Sequence, residues 1–302
     1  MILIRIQEQS KIDSSIVMES MYEMLDTTRQ GFNQSRARLL KESKMMLEIE
    51  KIVSKYRATK DQRAGSRSLY HNLQIKESYG LGINKFERLM SKYMLTLSVL
   101  RVMTITTRTC IRSKMYTNEL NGLVVWEINK VVVGDITYVF KDNIQYYVFT
   151  LFDIYSGRMV GIYGGKRMRS IEALIVLDQL ILLRGVAALM GCIHHTDGGG
   201  QYFSNKYNEK ISKMEMQYSV ASTCLENGYA EQRNGLMKGH FLPLKRGRNE
   251  SEFNKGLLEI QADYNKRKQQ NLGWLSPLEI EENIKYLKKE ERTKMVLHDF
   301  TS

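Results

Sequence analysis

The chain has 302 residues, 43% of them hydrophobic, and carries 45 Lys and Arg against 33 Asp and Glu, a net charge of +12. This length allows two or three domains with a real core. Its three cysteines form no Cys-x-x-Cys pair, which argues against a disulfide framework and a cysteine-rich zinc site. Apolar runs are too short or too charged to cross a bilayer, and residues 1–15 lack a signal-peptide core. A cytosolic protein without membrane segments is expected.

The positive charge is concentrated in one part of the chain. Between Thr28 and Met115 there are 19 basic and 6 acidic residues, a net charge of +13, so the remainder is close to neutral. A basic region joined to a balanced one is typical of nucleic-acid-binding proteins. The alternative is a solvated Lys and Arg surface without a binding role.

Two helices are predicted at the amino-terminal end. Apolar spacing indicates one helix over Ile16–Asp26, and Thr27 or Thr28 can cap a second that runs through Phe32–Leu40. This pair suggests a helix-turn-helix, although short helical hairpins without a DNA-binding role are equally common. The second helix carries groove-reading and phosphate-contacting side-chain types. These candidate DNA-binding residues are Arg29, Gln30, Asn33, Gln34 and Arg36.

Further helices and a linker follow. Leu39–Tyr56 is predicted to be a long charged helix, and Asp61–Gln74 with Leu81–Tyr93 could form a second helix-turn-helix. Thr104–Thr117 is basic and lacks periodicity, so it is interpreted as a linker that could lie along DNA.

From about Leu123 the periodicity changes to that of an α/β domain. Three short β-type runs are separated by turn signals, and helices then alternate with two more strands. The predicted strands are Val131–Phe140, Gln145–Phe152, Arg158–Tyr163, Ala188–Ile193 and Met216–Val220. The predicted helices are Ser170–Leu183, Asn205–Lys213 and one from Gly228 through Met237. The expected fold is a ribonuclease-H-like mixed five-stranded sheet flanked by helices, preceded by an all-α helix-turn-helix region.

Three carboxylates in this domain are the candidate catalytic and metal-binding residues. Asp135 lies in the first strand, Asp197 follows the fourth, and Glu231 opens a later helix. An acid in an apolar strand needs a compensating charge, and neighbouring first and fourth strands would bring both aspartates together. Such a set predicts two Mg²⁺ ions, replaceable by Mn²⁺, and phosphodiester chemistry. Glu226 is the rival third acid and is interpreted as a loop or helix-cap residue.

Three other polar residues have less specific interpretations. Asp153, at the end of a hairpin strand, is expected to cap a turn. His194 and His195 could be metal ligands, but at a strand end they are more often packing or phosphate-facing groups.

Several ordered segments resemble insertion-sequence transposases with an integrase-type D,D,E core, and the resemblance is strongest for the OrfB-type subunit of the insertion-sequence-three family. It covers nearly the whole chain, including Met21–Phe32, Gly65 with Arg67, and Arg88-Leu89-Met90. The core segments are Gly134-Asp135-Ile136-Thr137-Tyr138, Asp153-Ile154-Tyr155-Ser156 with Val160-Gly161, His194 through Tyr202, Glu226 through Lys238, and Tyr264-Asn265-Lys266-Arg267 with Leu272 through Pro277.

The resemblance implies a DNA transposase whose metal-binding triad is Asp135, Asp197 and Glu231. It also implies that Lys238 and Arg67 contact DNA and that Gln201 and Tyr202 shape the site. Double-stranded DNA, as terminal repeats and target, would be the partner of a cytoplasmic homo-oligomer, with an upstream OrfA-type subunit as a further partner. The alternatives are a decayed transposase acting as a sequence-specific repressor and a nuclease without strand joining. The expected domains are 1–58, 59–122, 123–285 and a tail at 286–302.

Overall fold

The computed structural model describes residues 9, 12, 18–24, 26–97, 117–221, 227–245 and 247–297. Their contacts separate into two compact units. The first comprises the described parts of Met1–Lys55 and Ile75–Thr96, and the second those of Tyr56–Gln74 and Leu97–Ser302. Within these ranges, no helix is long and apolar enough to cross a membrane.

The amino-terminal region is helical. Its helices are α1 (Met18–Met24), α2 (Arg29–Thr59), α3 (Ser66–Asn72), α4 (Ile75–Tyr79) and α5 (Ile83–Lys92). The separate helices predicted over Phe32–Leu40 and Leu39–Tyr56 are one continuous helix, because no glycine or proline interrupts α2 after Gly31. Buried Tyr22 of α1 packs on buried Phe32 of α2, with ring centroids 5.6 Å apart. Much of the predicted basic linker lies outside the described residues.

The second unit contains the predicted mixed sheet, so the ribonuclease-H-like fold class is confirmed. Its five strands are β2 (Val131–Lys141), β3 (Ile144–Asp153), β4 (Met159–Gly165), β5 (Ile193–Thr196) and β6 (Gln217–Val220). Their spatial order in the sheet is β4-β3-β2-β5-β6, with antiparallel pairing from β2 to β4 and parallel pairing from β2 through β5 to β6. A separate ribbon pairs β1 (Val124–Val125) with β7 (Met295–Val296).

The prediction for the fourth strand was wrong in its position. Ala188–Ile193 was expected to be extended, but Ala187–Leu189 forms a short 3₁₀ turn and β5 begins only at Ile193. Gly191 has a φ of +71°, which completes the turn and delays pairing with β2 until Ile193.

Helices cover both faces of the sheet. They are α6 (Ser170–Arg184), α7 (Asn205–Lys213), α8 (Gly228–Leu236), α9 (Glu250–Lys266) and α10 (Pro277–Ile284). Strand β2 alternates between two cores: Val131 and Val133 pack with residues of α9, and Val132 packs with residues of α6. This two-sided burial explains the nearly continuous apolar run at the start of β2 and holds that strand rigidly at the centre of the sheet.

Candidate active site

Asp135 and Asp197 lie at the same level on neighbouring parallel strands. Val133 of β2 pairs with His195 of β5, and each aspartate is two residues further along its own strand direction. Adjacent strands are about 4.8 Å apart. The register therefore brings together two acids that are 62 positions apart in the sequence. Asp135 is half-buried, whereas Asp197 is exposed just beyond the end of β5.

Helix α8 brings Glu231 to the same place. Asn227, which precedes the helix, donates a hydrogen bond of 3.3 Å from Nδ2 to the Gly134 carbonyl. Asn234 of α8 donates one of 2.7 Å from Nδ2 to Oδ2 of Asp135. Residues three apart are neighbours on a helix surface, so exposed Glu231 lies beside the group that contacts Asp135. The rival Glu226 lies outside the described residues.

The three carboxylates, hereafter the candidate triad, influence one another electrostatically. Burial raises the pKa of Asp135 to about 6; the Asn234 hydrogen bond opposes this shift, and the charges of Asp197 and Glu231 add to it. Loss of solvation raises the pKa of Glu231, and Asp197 raises it further. Asp197 thus disfavours the ionised forms of both Asp135 and Glu231, and a bound cation would relieve this local excess of negative potential.

The donor set suits a hard divalent cation. Carboxylate oxygens with open positions for water are what Mg²⁺ prefers, and two of the three acids are exposed to solvent. As the side chains stand, no three His, Cys, Asp or Glu groups in the described ranges are close enough to hold an ion. Convergence on a metal therefore requires rotation of the exposed Asp197 and Glu231 side chains, while the hydrogen bond from Asn234 already fixes Asp135.

Lys238 follows Glu231 by about two helical turns in the sequence. It belongs to a π-helix, Met237–Phe241, that continues directly from α8. Its Nζ is 5.4 Å from the ring centroid of Tyr138. Burial lowers the pKa of Lys238 and the charge of Asp135 partly offsets this. The lysine thus lies over the exposed ring of Tyr138, in the same strand as Asp135.

The loop after Asp197 fits closely around the residues predicted to shape the site. The Gly199 amide donates to Oδ1 of Asp197 at 3.1 Å. A Cβ at Gly199 would lie 2.2 Å from Nε2 of Gln201, so a larger residue there would displace the end of the Gln201 side chain. Tyr202 is buried, and burial together with Asp197 and Asp135 raises the pKa of its hydroxyl.

Two residues of the site were missed by the sequence reasoning. Thr150 of β3, the register partner of Asp135, donates a 3.0 Å hydrogen bond from Oγ1 to Oδ1 of Asn234. Asn234 is thereby oriented with its amide nitrogen toward Asp135. The three-residue spacing of Asn234 from Glu231 was visible in the sequence, but Thr150 carries no local signal.

The two histidines are packing groups. His194 Nε2 is 2.8 Å from the Tyr207 hydroxyl, and His195 Nδ1 is 2.8 Å from Ser219 Oγ. Both side chains are buried, and burial lowers the pKa of His194 to about 4. His194 therefore packs with α7 and His195 with β6.

The predicted DNA-contacting residues of the helical region are surface residues. Arg29, Gln30, Asn33 and Gln34 are exposed on the first turns of α2 in the first unit. Arg67 is exposed on α3 in the second unit. Exposure is compatible with the predicted role of both groups.

The comparisons with known proteins agree with the expected family resemblance. Residues 127–223 match the family described as "Integrase core domain". The transposase for insertion sequence element IS629 of Shigella sonnei is 30% identical over 134 residues, 43% of this chain and 44% of that protein. The chain thus spans under half the length of this curated relative. The resemblance to insertion-sequence transposases with an integrase core is confirmed.

Solved structures similar to this chain include two retroviral examples. The catalytic core domain of HTLV-2 integrase in complex with magnesium has a TM-score of 0.41 and 18% identity, covering 54% of this chain and 97% of that one. The simian T-cell lymphotropic virus intasome in complex with PP2A regulatory subunit B56 gamma has a TM-score of 0.44 and 16% identity, covering 72% and 70%.

Proposed function

We propose that this chain, which carries an integrase core domain, is a DNA transposase. It hydrolyses phosphodiester bonds at the ends of its element and joins the freed 3′-hydroxyl to target DNA. The observation that carries the proposal is the in-register placement of Asp135 and Asp197, with the helix of Glu231 tied to Asp135 through Asn234. The match of residues 127–223 to the integrase core family supports the same function.

In this proposal the candidate triad is the catalytic and metal-binding set. When bound, two Mg²⁺ ions, or Mn²⁺ in their place, would activate the attacking oxygen and stabilise the leaving oxygen. Asp135, oriented by Asn234, would be the fixed ligand, and the exposed Asp197 and Glu231 side chains would complete the set that holds the ions. Lys238 binds a phosphate of the DNA strand next to the site, where its positive charge offsets part of the phosphate charge.

The proposal includes the assignments made for the rest of the chain. Arg29, Gln30, Asn33, Gln34 and Arg67 contact the terminal repeats as double-stranded DNA. The active species is a homo-oligomer on DNA in the cytoplasm, with an upstream OrfA-type subunit as a further partner. The proposed domains remain 1–58, 59–122, 123–285 and 286–302.

The test is a strand-transfer assay with DNA that carries the element's own ends, in Mg²⁺ or Mn²⁺. Glu231→Gln should abolish both cleavage and joining, since the neutral amide is a poor metal ligand. Glu209→Gln, which changes an exposed acid on α7, is the matched control and should retain activity. Cleavage without joining would favour the nuclease alternative. Specific end binding without chemistry by the unmodified chain would favour the repressor.

A further inference from the structure

A buried carboxylate outside the candidate triad joins a distant segment to the π-helix that carries Lys238. Asp61 has no exposed surface. Its Oδ1 accepts a hydrogen bond from His240 Nδ1 at 2.6 Å, and its Oδ2 accepts one from Arg267 Nε at 2.7 Å. The Gln62 amide also donates to the His240 carbonyl at 2.9 Å. The Asp61 side chain and the Gln62 backbone therefore both bind His240.

Asp61 remains the ionised partner in this contact. Burial by itself would raise the pKa of its carboxyl, but the His240 hydrogen bond and the charge of Arg267 outweigh burial and hold the pKa below its usual value. A hydrogen bond to a charged group is stronger than one between neutral groups. The link to His240 is accordingly stronger than ordinary side-chain packing would provide.

The segment that contains Asp61 is itself anchored at several points within the same unit. Lys60 forms an ion pair with Asp263 at 2.7 Å. The Lys268 amide donates to Asn72 Oδ1 at 2.9 Å, and His71 stacks on Trp274 with centroids 4.1 Å apart. Asp61 therefore acts from a fixed support.

The π-helix is the element that needs this support. A π-helix is rare, is usually a single turn and is frequent at functional sites. This one spans Met237–Phe241, directly after the helix that begins near Glu231, and contains both Lys238 and His240. Lys238 lies two residues before His240 in this π-helix, and the charge of Asp135 raises the pKa of Lys238 against the effect of burial.

We infer that Asp61 is a positioning residue for the proposed active site: by holding His240 it fixes the π-helix and thereby the position of Lys238. Asp61 touches neither DNA nor the reacting atoms in this role. The inference rests on the proposed function, because Lys238 matters only if DNA is bound there. If the role of Asp61 were purely structural, its loss would lower activity whether or not Lys238 is present; a positioning role predicts that the loss of activity depends on Lys238.

A double-mutant cycle tests this dependence. Asp61→Asn and Lys238→Ala should each reduce kcat/KM for DNA-end cleavage about ten-fold, and the double variant should be no worse than the poorer single variant. Multiplicative losses, about a hundred-fold in the double variant, would overturn the inference. The matched control is Asp263→Asn, which breaks the ion pair of the same segment with Lys60 and leaves both partners of the Asp61–His240 hydrogen bond in place. It should change kcat/KM less than about two-fold.

A second pair of variants covers the case in which Asp61→Asn does not fold. His240→Phe keeps a ring and leaves the Asp61–Arg267 pair intact, and it should show the same dependence on Lys238. His240→Asn, whose amide can donate from nearly the same place as Nδ1, should restore most of the activity. Equal losses in the Phe and Asn variants would contradict the role assigned to the hydrogen bond.

Amide hydrogen exchange gives a readout that does not require catalysis. In Asp61→Asn or His240→Phe, exchange should accelerate within residues 236–242, and Asp263→Asn should leave this segment unchanged. Unchanged exchange in the first two variants would overturn the inference. If exchange accelerates in these variants but the unmodified protein cleaves no DNA, the support of the π-helix by Asp61 stands and the proposed function is rejected.

Discussion

Asn234 donates a 2.7 Å hydrogen bond to Oδ2 of Asp135 and accepts one from Thr150 Oγ1. The side-chain amide of Asn234 thus links α8 to both β2 and β3. The hydrogen bond from Asn234 engages Oδ2 of the Asp135 carboxylate. Orientation of Asp135 therefore depends on a residue that is not itself acidic.

Replacing Asn234 by Ala should reduce the DNA cleavage rate about 10- to 100-fold, the range typical for loss of a partner that orients a metal ligand. The apparent affinity for Mg²⁺ should fall with it, because Asp135 loses its fixed direction. Metal titrations of the cleavage rate measure both effects.

Asn254→Ala is the control for this variant. Asn254 exchanges two hydrogen bonds with the backbone of Gly164 on β4, which is separated from the strand of Asp135 by β3. It should lower stability without changing the metal dependence. Equal effects of the two variants on metal affinity would show that Asn234 is a general stabilising residue.

Asp135→Asn should stabilise the metal-free protein at neutral pH. Burial raises the pKa of Asp135 from its ordinary value of 3.8 to about 6, so the folded state holds its proton more tightly than the unfolded chain. The tighter proton binding in the folded state stabilises the protein fully below about pH 4. This stabilisation is lost as the pH rises through the folded-state pKa of Asp135.

The expected gain for Asp135→Asn is at most about 3 kcal/mol above roughly pH 6 and close to zero below about pH 4. Urea unfolding in EDTA at several pH values measures it. A gain that does not depend on pH would contradict the assignment to ionisation of Asp135.

Glu281→Ala should be strongly destabilising. The buried Glu281 carboxylate binds the guanidinium groups of Arg158 and Arg184 and accepts a 2.9 Å hydrogen bond from Ser156 Oγ. Removing it leaves two positive charges near the core without their partner, at a cost of about 3–5 kcal/mol. The neighbouring surface variant Glu282→Ala should have no measurable effect in the same denaturation experiment.

Gly161→Ala should also destabilise the core domain. A Cβ at this position would lie 2.7 Å from both Cγ1 and the carbonyl oxygen of Val176 on α6. Because backbone cannot move aside cheaply, a loss of about 1–3 kcal/mol is expected. Gly235→Ala is the opposite case: its Cβ would meet nothing within 4 Å in α8, and the helix should gain up to about 1 kcal/mol. Thermal unfolding of both variants distinguishes packing from helix propensity.

The sequence predicted correctly those elements whose signals lie within a few neighbouring residues. The hairpin strands, α6 and α7 follow from period and turn residues, and Asp153 caps its turn as expected, accepting hydrogen bonds from the Ser156 amide and hydroxyl at 2.9 and 3.0 Å. The long helix α2 was predicted as two helices that meet near Leu39, but no glycine or proline interrupts it after Gly31.

The sequence by itself determined which side chains carry charge and on which elements they stand: Asp135 in a strand, Asp197 after a strand and Glu231 in the first turn of a helix. Only the tertiary structure decided that Val133 pairs with His195, that Thr150 turns Asn234 toward Asp135 and that Asp61 holds His240. Strand register and hydrogen bonds between residues 84 to 179 positions apart depend on global packing, which no local pattern encodes.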